Sequence, residues 1–413
     1  MDTLVPAGPG AVAAGVDPGA GVGEDQPAGR GWRPPRLVVL ATVLFGLVGC
    51  LWTVAVPAYR APDEAAHVDL TLYLAAGHPY PRYDGRYFGE EVGLDTDRYL
   101  IVLSVPWPRF DAADAPPRGD RPDVDELGIA PDAEARRGDR HRAGYPYVYN
   151  QMPQHPPLYY LGMAGLLRVE RALLPGDGLP SLDRELALLR LANVALVLPL
   201  PLLAWATARR MGAGDRAAGV AALLPLCLPQ FAHIGAAVNN DNLLTLLGGM
   251  LAALLAGVAR GRRTRRTDLA VGVVLGLALL TKAFAVMLVP WVAAAYAVGA
   301  WTTRRRRESA VGLAVAGAGA AVVGGWWWVA NWVREGQPAP TTETLTRTTD
   351  QRPPGFHAEP VQFLWTFAGR LVSHTWAWVG FGTPKFELPR GVVAGLTLAV
   401  VAAVAVALRA AAR

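Results

Sequence analysis

Apolar residues in this chain come in blocks of roughly membrane length, and neither strand-like alternation nor the stripe of a surface helix dominates. The blocks lie at 37–57, 186–208, 217–237, 243–259, 269–281, 284–301, 310–333 and 392–408. A helix needs about 20 mostly apolar residues to cross the hydrocarbon core, so the pattern predicts an all-α polytopic membrane protein with about eight transmembrane helices. The blocks at 269–281 and 284–301 are short and share a tight turn, so one broken hairpin fits them as well. Residues 1–35, rich in Gly, Ala and Pro, hold no apolar run and read as a disordered cytoplasmic tail. The first apolar block comes too late for a signal peptide and has no clear cleavage site after it.

Positive charge orients the blocks. Short cytoplasmic loops collect Lys and Arg. With the N-terminus inside, Arg209, Arg210, Arg216, Arg260, Arg262, Arg263, Arg265, Arg266 and Arg304 to Arg307 all fall on the cytoplasmic side, as do Arg409 and Arg413. Among the short outer loops only Lys282 stands out. Residues 158–174 resemble a span, but Arg168, Glu170 and Arg171 interrupt them, and a crossing there would turn every later arginine cluster outward. They are expected instead to form an interfacial helix on the outer membrane face. The expected organisation is a tail at 1–35 and a transmembrane core at 36–333, which includes a first extracytoplasmic loop at 58–185. A second extracytoplasmic segment at 334–390 and a last helix with its cytoplasmic end at 391–413 complete it.

Composition narrows the function classes. Of the 413 residues, 52% are hydrophobic and only 18% charged, against about a quarter charged in ordinary soluble domains. Mean hydropathy is +0.24. A soluble enzyme and a disordered tail protein are thereby excluded. The two cysteines, Cys50 and Cys227, sit in apolar blocks and imply no disulfide framework. Net charge is +5, but the arginines form short clusters without interleaved aromatics, so no nucleic-acid partner is expected. Seventeen of the 34 acidic residues lie between Asp63 and Asp139, in the first outer loop.

That loop opens with Pro62-Asp63-Glu64-Ala65-Ala66-His67. Pro62 suits a first helical position, and a helix to about Ala76, ended by Gly77, would put Asp63 and His67 on one face. The two carboxylates could simply complement a helix N-terminus; they could equally form an acidic pair for base catalysis or metal binding at the membrane surface. The loop closes with His155-Pro156-Pro157-Leu158-Tyr159-Tyr160, where His155 is either structural or held at the membrane surface for substrate. Asn239-Asn240-Asp241-Asn242 is either a capped turn or a polar edge facing the cavity of Asp63. Lys282, between two apolar blocks, either snorkels to the interface or binds a lipid phosphate as a point charge. Arg347 and Arg352 could reach the same phosphate. Trp326, Trp327, Trp328 and Trp332, with Trp365, Trp376 and Trp378, read first as an interfacial belt. No Walker A, GxGxxG, His-Glu-x-x-His or CxxC pattern occurs.

These residues together resemble the GT-C superfamily of integral membrane glycosyltransferases, most closely a bacterial branch, with a core architecture similar to aminoarabinose transferases and protein O-mannosyltransferases. The resemblance rests on Pro62-Asp63-Glu64-x-x-His67, His155-Pro156-Pro157-Leu158-Tyr159-Tyr160, Arg190-Leu191, Asn240-Asp241, Leu280-Thr281-Lys282, Gly325-Trp326-Trp327 with Asn331, and the segment from Ser373 to Gly382. It implies a core with two interfacial helices in a large first outer loop, here at 62–76 and 158–174. It also implies a polyprenyl-phosphate sugar as donor and transfer on the extracytoplasmic side to a glycan, lipid or protein acceptor. Asp63 matches the family's essential acidic position and is expected to act as general base. Glu64, the second catalytic candidate, would orient substrate with His67 and His155, Asp241 would position Lys282 or a sugar hydroxyl, and Lys282 with Arg347 would hold the donor phosphate. A divalent metal bridging Asp63 and the phosphate is compatible with this pattern, although no ligand cluster demands one. Two other readings use the same cavity: a transporter or flippase of lipid-linked sugars, and a non-catalytic envelope-assembly protein. The first would favour inverted repeats with broken spans in matching halves, which the sequence does not show.

Overall fold

The computed structural model describes residues 33–56, 58–59, 61–83, 150–174, 180–341, 359–376, 378–379 and 386–412. Arg347, Arg352, most of the 1–35 tail and most of the acidic loop lie outside the described residues. The described chain is helical apart from one two-residue strand pair, in which β1 (Trp378–Val379) runs antiparallel to β2 (Phe386–Glu387).

The first span is α1 (Arg36–Ala55), exposing Leu47, Leu51 and Val54 and burying Val38, Ala41, Phe45 and Gly49. Two helices follow in the segment expected to form the first outer loop, α2 (Glu64–Ala75) and α3 (Leu158–Leu173). The chain then crosses as α4 (Leu182–Val197) and α5 (Leu200–Arg210), joined at Pro199. A bent pair comes next: α6 (Asp215–Ala221) continues through a 3₁₀ turn to Cys227, and α7 (Pro229–Gly235) leaves it at 61°. Pro229 breaks the run because it lacks an amide hydrogen and crowds the preceding turn. After it come α8 (Asp241–Ala259), α9 (Arg265–Leu279), a 3₁₀ turn at Ala283–Met287 running into α10 (Leu288–Thr303), and α11 (Arg306–Ala320). A π-helical turn at Ala321–Gly325 joins α11 to α12 (Trp326–Glu335). Last come α13 (Pro360–Trp376) and α14 (Arg390–Ala412).

Five of these runs are long and apolar enough to cross a membrane: α1, Leu182–Arg210, α8, Ala283–Thr303 and Arg306–Glu335. The bent pair makes a sixth if its halves count as one. This differs from the expected eight. The helix at 265–279 has 15 residues, with Arg265, Arg266 and Asp268 in its first turn, and the apolar part of α14, Arg390–Ala402, is likewise short. The expected helix at 62–76 also begins later. Its start is displaced because Asp63 takes a left-handed backbone (φ 57°), so the first helical residue is Glu64 and not Pro62.

The spans pack through apolar and small residues. Leu251 and Leu255 of α8, Val271 and Leu275 of α9, Tyr296 of α10 and Ala316 of α11 share one core. α9 and α11 approach so closely that a Cβ on Gly272 would lie 2.5 Å from the Ala316 carbonyl oxygen. Further along, a Cβ on Gly324 would lie 2.3 Å from that of Gly276. Small residues permit such approach in a membrane, where dispersion must replace the hydrophobic effect between helices.

The arginine-rich turns gather at one end: the Arg210 guanidinium donates to the Ala253 carbonyl at 2.9 Å, and Arg263 pairs with the buried Asp268 at 3.2 Å. Chain order places the turns after α1, α7, α9 and α12 at the opposite end. There α2 packs on α3, and Leu70, Leu74, Tyr160 and Leu167 share one buried cluster with Leu189 of α4. Nine of the twelve residues of α2 are buried, so it is embedded in protein more than an interfacial helix requires. The polar residues that interrupt α3 tie it down. Arg168 donates to the Leu74 and Ala75 carbonyls that end α2, Arg171 pairs with Glu185 at 2.7 Å, and Glu170 pairs with Arg184 at 2.8 Å.

Candidate active site

The turn that carries Asp63 is fixed from behind by Glu64. Glu64 is fully buried, and both its carboxylate oxygens are engaged. Arg190 of α4 donates to them through Nε at 2.8 Å and Nη2 at 2.5 Å. The Tyr59 amide donates to Oε2 at 2.9 Å, and the Val238 amide to Oε1 at 3.1 Å. Arg190 also donates to the Thr53 and Val56 carbonyls at the end of α1. One bidentate ion pair thus joins α1, α2, α4 and the turn before α8. A buried charge needs such saturation, because each unpaired ion costs several kcal/mol. Arg190 belongs to the motifs quoted above but not to the expected site, although an arginine inside an apolar block is signal enough to expect a paired role.

Asp63 itself is exposed. Tyr59 shares its left-handed backbone (φ 60°), and strained residues of this kind cluster where geometry serves a site. Asn239 donates to the Pro62 carbonyl at 3.4 Å, binding the Asp63 turn to the polar turn before α8. In that turn the Asp241 amide donates to Asn239 Oδ1 at 2.8 Å, while Asp241 Oδ1 accepts from Lys282 Nζ at 2.7 Å. The Lys282 side chain is largely buried and lies 5.8 Å from the Phe284 ring. The start of α3 closes the ring, the Leu158 amide donating to the Leu280 carbonyl at 3.0 Å.

Asp63, Asp241, Lys282, His67 and His155 are therefore brought together, from four stretches of sequence. The proximity shows in their electrostatics. Crowding by protein raises the Asp63 carboxyl above its ordinary value, Lys282 pulls it back and Asp241 pushes it up. His155 is driven down to about 3 by burial and by Lys282, so it is neutral. His67 falls well below the usual imidazole value through burial, Lys282 and His155, in that order. Its Nδ1 faces the Tyr160 hydroxyl at 3.0 Å, and the two rings stack 5.8 Å apart. His67 and Asp63 do not share a helix face as expected, because Asp63 precedes the helix. Tyr80 donates to the His155 carbonyl at 2.7 Å and packs edge-on against Trp327 at 5.4 Å.

Two expectations resolve otherwise. Glu64 points into the scaffold and not toward the open side. The tryptophans divide: Trp326 and Trp332 are exposed, as a belt requires, whereas Trp327 is buried behind Tyr80. Tyr80, Tyr160, Asn239 and Asn240 join the site without having been singled out individually. Among the described residues no group of three or more His, Cys, Asp or Glu side chains is placed to hold a metal ion.

Residues 182–328 match the family model described as dolichyl-phosphate-mannose-protein mannosyltransferase. The match supports a GT-C-like membrane glycosyltransferase that uses a lipid-linked sugar donor. It spans Arg190, Asp241, Lys282 and Trp327, and stops short of Asp63, His67 and His155, which the fold adds. No curated protein and no solved structure matches the chain.

Proposed function

We propose that this chain is an inverting glycosyltransferase that moves a sugar from a polyprenyl-phosphate donor to a hydroxyl on an extracytoplasmic acceptor. The observation that carries this reading is the meeting of an open carboxylate, Asp63, with the ion pair of the largely buried Lys282 and the half-exposed Asp241, both of which lie in the stretch that matches the mannosyltransferase family model. Asp63 takes the proton of the acceptor hydroxyl as its oxygen attacks the anomeric carbon. The bond from that carbon to the phosphate oxygen breaks, and polyprenyl phosphate leaves with the electron pair. Lys282 balances the charge gained by the phosphate, and Asp241 holds the ammonium in place. Neutral His155 and His67 shape the pocket without competing for the acceptor proton. Glu64 is a positioning residue that acts through Arg190. The arginine asymmetry supports a site on the extracytoplasmic side of the plasma membrane and an N-terminus in the cytoplasm.

Asp63→Asn tests the reading directly. Asn tolerates the left-handed backbone, so the variant is expected to fold and to lose about 10²–10⁴-fold in transfer from labelled polyprenyl-phosphate mannose in proteoliposomes. Undiminished transfer would remove Asp63 from the role of base. Lipid translocation without sugar transfer by the unaltered protein would favour a flippase.

A further inference from the structure

Asn240 is fully buried beside Lys282, yet its side chain is only half used. Nδ2 donates weakly to the Thr281 carbonyl at 3.5 Å, and among the described residues Oδ1 has no hydrogen-bond partner. Its neighbours differ. Asn239 uses both ends of its amide on Pro62 and Asp241, and Asn242 donates to Asn193, Ile234 and Ala237. Asn240 makes no side-chain cap on α8, which it precedes. Its amide is held toward the Thr281–Lys282 strand of chain, whose Thr281 hydroxyl is tied to Leu277 at 2.8 Å. A second buried atom without a partner among the described residues, Nδ1 of His155, borders the same loop, because the Leu158 amide pins that segment to Leu280.

A buried amide oxygen left unpaired is costly, and it can be satisfied only by a donor. Phosphate oxygens are acceptors and cannot serve it. A sugar hydroxyl can, and a neutral imidazole nitrogen can take a second hydroxyl in either tautomer. We infer that Asn240 Oδ1 accepts a hydrogen bond from a hydroxyl of the donor sugar, so that the sugar ring lies on the buried side of Lys282 and the lipid phosphate on its open side. The inference rests on the glycosyltransferase reading and names the part of the donor that the buried wall recognises.

The experiment compares binding of polyprenyl-phosphate mannose and of bare polyprenyl phosphate to the full-length protein in nanodiscs. Asn240→Leu is expected to weaken the sugar-bearing lipid about tenfold, the worth of one hydrogen bond, and to leave the bare lipid unchanged. The thermal midpoint of unliganded Asn240→Leu should be level with or above the starting protein, since no native partner of Oδ1 is lost. One deoxymannose analogue should lose the same factor against the starting protein and nothing further against Asn240→Leu; Asn240→Ala repeats the comparison if the leucine does not fit. Equal weakening of both lipids, or of neither, overturns the inference and leaves the glycosyltransferase reading standing. If neither lipid binds the unaltered protein, that reading fails and takes the inference with it.

Discussion

A general base works only while ionised, and Asp63, which has that role in the proposed mechanism, keeps a carboxyl whose ordinary value, about 3.9, is raised by its surroundings. As pH falls it therefore takes up a proton earlier than a free aspartate, and the acid limb of kcat/KM lies above that value. The sign of each neighbour's effect is fixed. Lys282 lowers the Asp63 value, so Lys282→Met should move the limb to higher pH; Asp241 raises it, so Asp241→Asn should move the limb to lower pH. Residual activity suffices for the measurement, and shifts in the same direction would remove Asp63 as the titrating base. Behind it, Glu64→Gln leaves Arg190 buried with half its partner and should cost about 3–5 kcal/mol of stability, read as a lowered unfolding midpoint in detergent. Replacing both by Leu and Met should recover much of that loss while transfer stays low, because the Tyr59 and Val238 amides lose the carboxylate that holds the Asp63 turn. Asp63 stands out in the sequence as a candidate because it belongs to a short polar motif directly after an apolar block. The Glu64–Arg190 pair is not, because its partners are 126 positions apart and nothing local records which acid meets which base.

At the scale of elements, the sequence shows where helices form and much less where they start and stop. α3 is legible as a helix, and the fold gives partners to the polar residues that interrupt it. Arg168 ends α2, Arg171 and Glu170 bind the start of α4, and each charge has a partner that a lipid-buried face could not offer. The start of α2 is illegible because Pro62 fits a first helical position, whereas the turn is decided by Glu64 being drawn to Arg190. The close approach of α9 and α11 is also hidden, since a glycine in an apolar run could equally mark a kink. Here Gly276 and Gly324 let two backbones meet. Gly324→Leu would drive a side chain into the Gly276 carbonyl and should destabilise the protein by about 1–3 kcal/mol or more. Gly317→Leu, with nothing within 4 Å of its added Cβ, should be nearly neutral. Thermal unfolding of the two variants side by side separates packing from the general effect of a larger residue in a helix.

For the whole molecule, the decisive quantity is which end faces which compartment. The arginine turns and the Asp63–Lys282 cluster lie at opposite ends of the helices, so one orientation fixes both. Met211 and Arg262 are exposed on the arginine end, and Ala76 and Gln337 on the other. After the exposed Cys50 and Cys227 are replaced by serine, single cysteines at these four positions can be labelled in intact cells with a membrane-impermeant maleimide. The charge asymmetry predicts reaction at Ala76→Cys and Gln337→Cys, and at Met211→Cys and Arg262→Cys only after the membrane is opened. The reverse pattern would put Asp63 in the cytosol, where nucleotide-activated sugars are at hand and a lipid-linked donor confers no advantage. The role given to Lys282, balancing a membrane-held phosphate, would then lose its reason. A mixed pattern would mean that α2 and α12 open on different sides, which the bonds from Asn239 to Pro62 and from Leu158 to Leu280, and the packing of Tyr80 on Trp327, do not allow in one folded state.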